Sequence, residues 1–423
     1  MTGLVQADAV QLPVADDTVD LVVTSPPYFA LRSYRDDGEH YDGQIGSEAT
    51  PAEFLDALWA VTAECVRVLK PSGSLWVNLG DKYAAGHGGS STERGGVTIR
   101  KRSSFGATPR ERPDLPDPPA SWGRRDATGR NVVPGFRPKS LMGMPWRYAI
   151  GCIDDLGLIL RAEVVWSKPN GLPESVTDRV RRSHEQWFHF TLEPRYFSAL
   201  DEIREPSAGH NPLGASNARS STSKRHAKRG SGDGHSWPTP YDNPLGKLPG
   251  SVWSIPSEPL KVPDELGVDH FAAFPQEWPR RLILGWCPAE VCTACGQGRA
   301  PVVDRTFDGS YNDAEAQRQQ DRANMSGGTD RVTLGRTESI TRTITGYACA
   351  CADNSAPSTP GVVLDPFAGT GTVPMVARAL GRTGIGVDLS SDYLRLASWR
   401  VFESGHASKT VARTNGERQG LLL

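Results

Sequence analysis

The first strongly apolar run of the chain, Leu21-Val22-Val23-Thr24, follows a turn at Asp16-Asp17 and stops at Ser25-Pro26-Pro27-Tyr28. β-Branched residues suit a pleated, buried strand, so 17–28 is expected to be one. Two prolines then forbid its continuation, and Pro26 keeps Ser25 out of the helical region. The chain must leave the sheet in a rigid turn that presents one hydroxyl, its carbonyls and one aromatic ring. Across 51–70, Phe54, Leu55, Leu58, Val61, Cys65, Val68 and Leu69 fall on one helical stripe. Pro51 suits the start of that helix, and Pro71-Ser72-Gly73 is expected to end it. Leu75-Trp76-Val77-Asn78-Leu79 is a second buried strand. Strand, helix and strand with short joins favour a parallel sheet.

The periodicity vanishes from 82 to 139, which is rich in Gly, Pro, Ser and Arg. It resumes with a helix near Pro145–Leu156, a strand Leu158–Trp166 and a strand Ser183–Leu192. A helix is expected over 270–286, with its apolar positions among HFAAFPQEWPRRLILGW. Val362–Asp365 is a buried strand, followed by a helix Val373–Leu380, a strand Gly384–Asp388 and a last helix from Ser391. No internal repeat is present. The fold class is therefore α/β, with a Rossmann-like, mostly parallel sheet, helices on both faces and long irregular insertions.

Composition narrows this picture. The chain has 423 residues, 44 of them Gly and 33 Pro, which fits a globular scaffold carrying long loops. The net charge is −2, so a nucleic-acid surface requires local segregation of charge. Two stretches supply it: 82–139 is net +7 and 204–229 is net +5. No apolar run reaches membrane-spanning length, and the N-terminus lacks the pattern of a secretory signal, so a cytoplasmic protein with no membrane partner is expected.

After the strand 362–365, Phe367-Ala368-Gly369-Thr370-Gly371-Thr372 lets the backbone turn tightly and approach a ligand. A helix follows, then a strand ending in Asp388, 23 positions after Asp365. That is close to the spacing at which an acid meets ribose hydroxyls. No Gly-Lys-Ser/Thr ending is present. An Asp beside the glycines repels pyrophosphate and suits an ammonium group, so S-adenosylmethionine fits better than NAD. Glycines serving packing alone are the plain alternative.

Together, Thr24-Ser25-Pro26-Pro27-Tyr28 and Asp365-Pro366-Phe367-Ala368-Gly369-Thr370-Gly371-Thr372 resemble the amino-group DNA methyltransferases, which act on adenine N6 or cytosine N4. The catalytic motif precedes the cofactor motif, as in the permuted beta group of that family. The resemblance implies a circularly permuted S-adenosylmethionine-dependent methyltransferase fold. It also implies a catalytic set of Ser25, Pro26, Pro27 and Tyr28. The cofactor set would be Asp8, Thr24, Phe274, Asp365, Phe367, Gly369, Gly371, Thr372 and Asp388. Trp166-Ser167-Lys168-Pro169-Asn170, with Asp178-Arg179 and Ser183-His184-Glu185, is similar to the family's substrate-side segment.

The organisation expected is a catalytic half at 1–81, a basic loop at 82–139 and a core continuation at 140–203. A variable polar region at 204–264 precedes a cofactor-closing helix at 265–286. A Cys-bearing insert at 287–357, the cofactor half at 358–402 and a tail at 403–423 complete the chain. Loops 82–139 and 204–229 are the candidates for contact with double-stranded DNA. By the family's pattern, Ser25 Oγ and the Pro26 carbonyl accept hydrogen bonds from the amino group, and Tyr28 stacks on a base flipped out of the duplex. A Ser-Pro-Pro-Tyr turn implies cytosine N4, with adenine N6 as the alternative. A cognate restriction endonuclease is a possible partner; a solitary modifier is the other case. Methylation of RNA or of protein glutamine, and an inactive zinc-clamped DNA-binding protein, are the competing functions.

Five of the seven cysteines fall in 287–351. Cys292-Thr293-Ala294-Cys295 and Cys349-Ala350-Cys351 form two close pairs suited to structural Zn2+, with Cys287 an alternative ligand. Cys65, Cys152, Trp59, Trp76 and Trp146 are expected in the core.

Overall fold

The structure is a computed structural model. It describes residues 2–30, 35–36, 39–40, 43–84, 124–125, 131–133, 135–137, 139–171, 173–205, 245–260, 262, 266, 274–308, 339–351 and 355–403. In chain order the elements that matter begin with β1 (Gly3–Gln6), β2 (Val19–Thr24), α1 (Pro51–Val68) and β3 (Leu69–Leu79). They continue with α2 (Met144–Asp154), β4 (Ile159–Ser167), β5 (His184–Thr191), β6 (Val252–Ser254) and α3 (Glu277–Trp286). Next come β7 (Val291–Cys292), β8 (Ala300–Asp308), β9 (Ser339–Ala348) and β10 (Ser358–Thr359). The chain closes with β11 (Val362–Asp365), α4 (Thr372–Ala379), β12 (Thr383–Asp388), α5 (Ser391–Ser398) and a π-turn over Trp399–Glu403.

Eight strands form one sheet in the order β1-β12-β11-β2-β3-β5-β4-β6. Only β5 runs against its neighbours β3 and β4; every other pair is parallel. The centre of the sheet is buried on both faces, and all six residues of β2 are buried. Side chains alternate between the two cores as a pleated strand requires. Val22, Leu75 and Val77 enter the core beneath α1 and α2. Leu21, Val23 and Trp76 enter the core shared by α3 and α4. There Trp278 stacks on Trp187 and Trp253 with ring centroids 4.7 and 4.8 Å apart.

Helix α1 starts as its sequence dictates. Thr50 caps the Glu53 N–H, and Glu53 caps the Thr50 N–H in return. Its end differs from expectation. Pro71-Ser72-Gly73 does not separate helix from strand but lies inside β3, where the β2 register jumps from Val19–Leu69 to Leu21–Ser74. The extra residues are absorbed as a bulge, which tolerates Pro and Gly where a regular ladder does not. Helix α3 begins at Glu277 rather than at 270, since Pro275 and Pro279 restrict its first turn. Residues 270–273 lie outside those described.

Several features escaped the sequence pattern, among them the β8–β9 hairpin in the stretch expected only as a Cys-bearing insert. β1 is only half-buried, and β6 has three residues, so neither carries a strong apolar signature. β6 places part of the polar 204–264 region in the sheet. Trp146 is 42% exposed and not in the core, whereas Trp76, Cys65 and Cys152 are buried as expected. Trp59 is half-buried, with its indole N–H donating to the Tyr148 carbonyl. No helix among the described residues is long and apolar enough to cross a membrane.

Helices α1 and α2 meet where Gly151 faces Trp59. A Cβ on Gly151 would sit 2.1 Å from the indole, which its hydrogen bond holds in place. Gly151→Ala is expected to lower unfolding free energy by about 1–3 kcal/mol, the usual cost of overpacking. Urea denaturation checks this, and an unchanged midpoint would refute it.

Candidate active site

β2 and β11 lie side by side, with Val363 opposite Leu21 and Leu364 opposite Val22. From β2 the chain crosses through α1 to β3; from β11 it crosses through α4 to β12, on the other face. The strand order reverses between them, and in open α/β sheets ligands bind just beyond the carboxyl ends at such a point. Both sequence motifs begin there. The Thr24 hydroxyl donates to Asp365 Oδ1 at 2.8 Å, a buried bond between residues 341 positions apart. The same carboxylate oxygen accepts from the Phe367 N–H at 3.1 Å. Burial pushes the Asp365 carboxyl up to about 7, against the lowering effect of these two donors.

The glycine loop is held from two sides. Gly369 and Gly371 have φ of 48° and 72°, and a Cβ on Gly371 would meet Ala397 of α5 at 2.9 Å. Asp388 Oδ2 accepts from the Gly369 N–H at 2.8 Å, and Oδ1 from the Ser390 N–H at 3.0 Å. Behind the loop, buried Arg400 donates from Nη1 to the Thr370 carbonyl and the Thr372 hydroxyl, each at 2.9 Å. Phe367 is half-buried. Asp8 is exposed, two residues past the Gln6–Asp388 pair of β1 and β12, and its Oδ1 accepts from Val10 N–H. The carboxyl ends of four neighbouring strands thus carry Asp8, Asp388, Asp365 and Thr24.

On the other side of this point sits the Ser-Pro-Pro-Tyr turn. Ser25 is half-buried, and its hydroxyl donates to Asn78 Oδ1 at 3.1 Å. Tyr28 Oη lies 2.9 Å from both Asn78 Oδ1 and Glu185 Oε2. Asn78 cannot turn away, because its Nδ2 donates to the buried Gln186 carbonyl at 3.0 Å. Glu185 Oε1 pairs with Lys168 Nζ at 2.5 Å, and that ammonium lies 4.0 Å from the Trp166 ring centroid. Gly80 leaves room for the Tyr28 ring, since a Cβ there would lie 2.4 Å from it. With its proton committed to Asn78, Ser25 Oγ offers its lone pairs as acceptors. Asn78 was not singled out from sequence. Its signal was a lone amide inside Leu75-Trp76-Val77-Asn78-Leu79.

Phe274 precedes α3 and packs edge-on against Trp187, ring centroids 5.8 Å apart; Trp187 pairs with Asn78 across β3 and β5. His184 is exposed, and Asp178 pairs with Lys139 on the surface. The basic stretch 82–139 is closed at its base beside this edge. Ala84 N–H donates to the Ser140 carbonyl and Lys139 N–H to the Ala84 carbonyl, both at 2.8 Å. Most of that stretch, and all of 206–244, lie outside the described residues. Asp81, just after β3, caps the first N–H groups of α2 through Gly143 and Met144.

The chain also matches known proteins in sequence. The family model described as DNA methylase, of the N6/N4 type, matches residues 19–290 and 354–398. The chain belongs to this family. Its relatives include the type II methyltransferase M.XycI of Xanthomonas campestris pv. cyanopsidis, 42% identical over 192 residues. That alignment covers 45% of this chain and 54% of the relative, so the chain spans about half the relative's length. The type II methyltransferase M.SmaI of Serratia marcescens is 27% identical over 384 residues, covering 90% of this chain and 84% of its own. The solved PvuII DNA methyltransferase (cytosine-N4-specific) aligns with a TM-score of 0.49 at 14% identity, over 98% of this chain and 91% of that one.

The raised value of Asp365 has a measurable consequence. The folded-state value lies above the ordinary 3.9 or so of an aspartate, so the folded state holds a proton that the unfolded state releases. The resulting stability is complete below about pH 4 and lost as pH rises through about 7. Without added ligand, wild type should lose stability relative to Asp365→Asn across that window, by at most about 1.4 kcal/mol per pH unit. Urea unfolding of both proteins at several pH values measures it; a constant difference would sink the assignment.

Proposed function

We propose that this protein transfers a methyl group from S-adenosylmethionine to the exocyclic N4 of cytosine in double-stranded DNA. The observation that carries the reading is the joined site: an acceptor-oriented Ser25 held by Asn78, tied through Thr24 and Asp365 to a glycine loop with acidic strand ends. When bound, S-adenosylmethionine supplies an electrophilic sulfonium methyl. Its parts suit the residues present. Gly369 and Gly371 allow close approach, and Asp388 and Asp8 would present carboxylates to ribose hydroxyls. Phe274 supplies an aromatic wall, and the buried Asp365 favours a cationic neighbour.

An exocyclic amino group is a poor nucleophile because its lone pair is delocalised into the ring. Ser25 Oγ and the Pro26 carbonyl would accept its two N–H bonds, favouring a pyramidal nitrogen whose lone pair faces the methyl. They would hold that nitrogen in line with the methyl that the bound cofactor would supply, and the one proton it sheds would pass to water. Positioning is then the protein's main contribution. Tyr28, its hydroxyl held by Asn78 and Glu185, would stack on the flipped base. The closed base of the 82–139 stretch beside Tyr28 supports a role for its Arg and Lys in contacting phosphates. Cytosine is favoured over adenine by Ser at position 25. Relatives named type II methyltransferases support a restriction-modification setting, with an endonuclease of the same site as partner, in the cytoplasm. Zinc has no part in this step.

Ser25→Ala is expected to reduce transfer of tritiated methyl to unmodified DNA at least about 100-fold, the scale of losing one positioned hydrogen-bonding group. Cofactor affinity by calorimetry should stay unchanged. Mass spectrometry of digested product should find N4-methylcytosine. N6-methyladenine would overturn the choice of base, and absence of label with wild type would overturn the reading.

A further inference from the structure

Away from the reacting edge, the chain between α3 and β11 brings four thiols together. The Sγ atoms of Cys292, Cys295, Cys349 and Cys351 all lie within 4.8 Å of one another. We propose that these four thiolates form a tetrahedral site for one Zn2+ ion, and that this ion locks the base of the β8–β9 hairpin onto the methyltransferase core.

The distances select the ligand chemistry. A tetrahedron with metal–sulfur bonds of about 2.3 Å has edges of about 3.8 Å. Cys292 Sγ and Cys351 Sγ are 3.7 Å apart. That is far beyond the roughly 2.05 Å of a disulfide, and all seven cysteines are free thiols. A cluster with two irons spreads its four thiolates over two metal atoms and needs a wider cage, so a single ion fits better.

The backbone is shaped for the same purpose. Cys292-Thr293-Ala294-Cys295-Gly296 is a tight knuckle in which the Gly296 N–H donates to the Cys292 carbonyl at 2.9 Å. Gly296 takes a φ of 71°, the left-handed conformation that the turn needs and that glycine adopts freely. The backbone N–H groups of Ala294 and Cys295 point at the Cys292 sulfur, so the loop turns around that atom. Cys287 is not a ligand. Its thiol lies outside the cluster, buried against the Pro288 carbonyl.

Position defines the role. β7 carries Cys292 and pairs through only two residues with β10, which leads into the amino end of β11. The active site lies at the carboxyl end of that strand, so the ion is structural. Without it, the two segments that bracket 296–348 are joined mainly by that short ladder, by the Thr293 bonds to the Pro357 carbonyl, and by Arg299. β8 and β9 pair over nine positions and extend from this base, with Tyr347 hydrogen-bonded to Glu202 on the core. A metal that closes such a long loop couples the fold of the insert to its own binding.

The test uses the full chain, reduced, loaded with zinc and desalted. One zinc per chain is expected by elemental mass spectrometry, with X-ray absorption showing four sulfur neighbours at about 2.3 Å. Cobalt(II) in its place should give the intense visible bands of a tetrahedral thiolate site. Cys295→Ser/Cys351→Ser should lose both signals, while Cys287→Ala keeps them. Metal-free wild type, zinc with nitrogen or oxygen neighbours, a native iron centre, or zinc retained by the double variant would each overturn the proposal. The absorption spectrum of wild type decides the matter even if the double variant does not fold. None of these readouts depends on methyl transfer.

Discussion

The site depends on one buried hydrogen bond, from the Thr24 hydroxyl to the Asp365 carboxylate. Net, such a bond contributes only about 1–3 kcal/mol. Its importance is geometric. Two turns with separate duties, one acidic and glycine-rich and one presenting Ser25, start from adjacent parallel strands. The bond fixes their relative height and angle at the ends of β2 and β11. Because Asp365 Oδ1 also takes the Phe367 N–H, the glycine loop and the end of β2 share a single anchor. Burial of that carboxylate is costly, and the cost is offset in part by these donors.

Each turn is also supported from behind by a group turned away from the reacting side. Asn78 bridges Ser25 and Tyr28 while the Gln186 carbonyl fixes its amide. Arg400 gathers Thr370 and Thr372, and Asp388 takes the Gly369 and Ser390 N–H groups. Such support restricts side chains before any ligand arrives, so less ordering remains to be done on binding. Asn78 is neutral and fully held, so it orients the Ser25 proton without offering a base to remove it.

Along the strand direction the molecule separates its duties. The carboxyl edge gathers Asp8, Asp388, Asp365, Thr24 and Ser25, and there the basic 82–139 stretch departs and returns. The amino edge carries the thiol cluster and the hairpin. The insert is thus rooted at the end of the sheet opposite the carboxyl edge.

By itself the sequence determined the elements with strong periodicity, the two motifs and the paired cysteines. Apolar spacing and Pro51 specify α1, and β-branched runs specify β2 and β11, because these signals act over a few residues. The weak edge strands β1 and β6 and the bulge at Pro71-Ser72-Gly73 were decided by packing, which overrides local preference. Only the tertiary structure joined Thr24 to Asp365, brought Asn78 beneath Ser25 and Tyr28, placed Arg400 behind the glycine loop and separated Cys287 from the other thiols. Those contacts link residues from 28 to 341 positions apart. A linear pattern holds no information on which strands become neighbours; the sheet order supplies it.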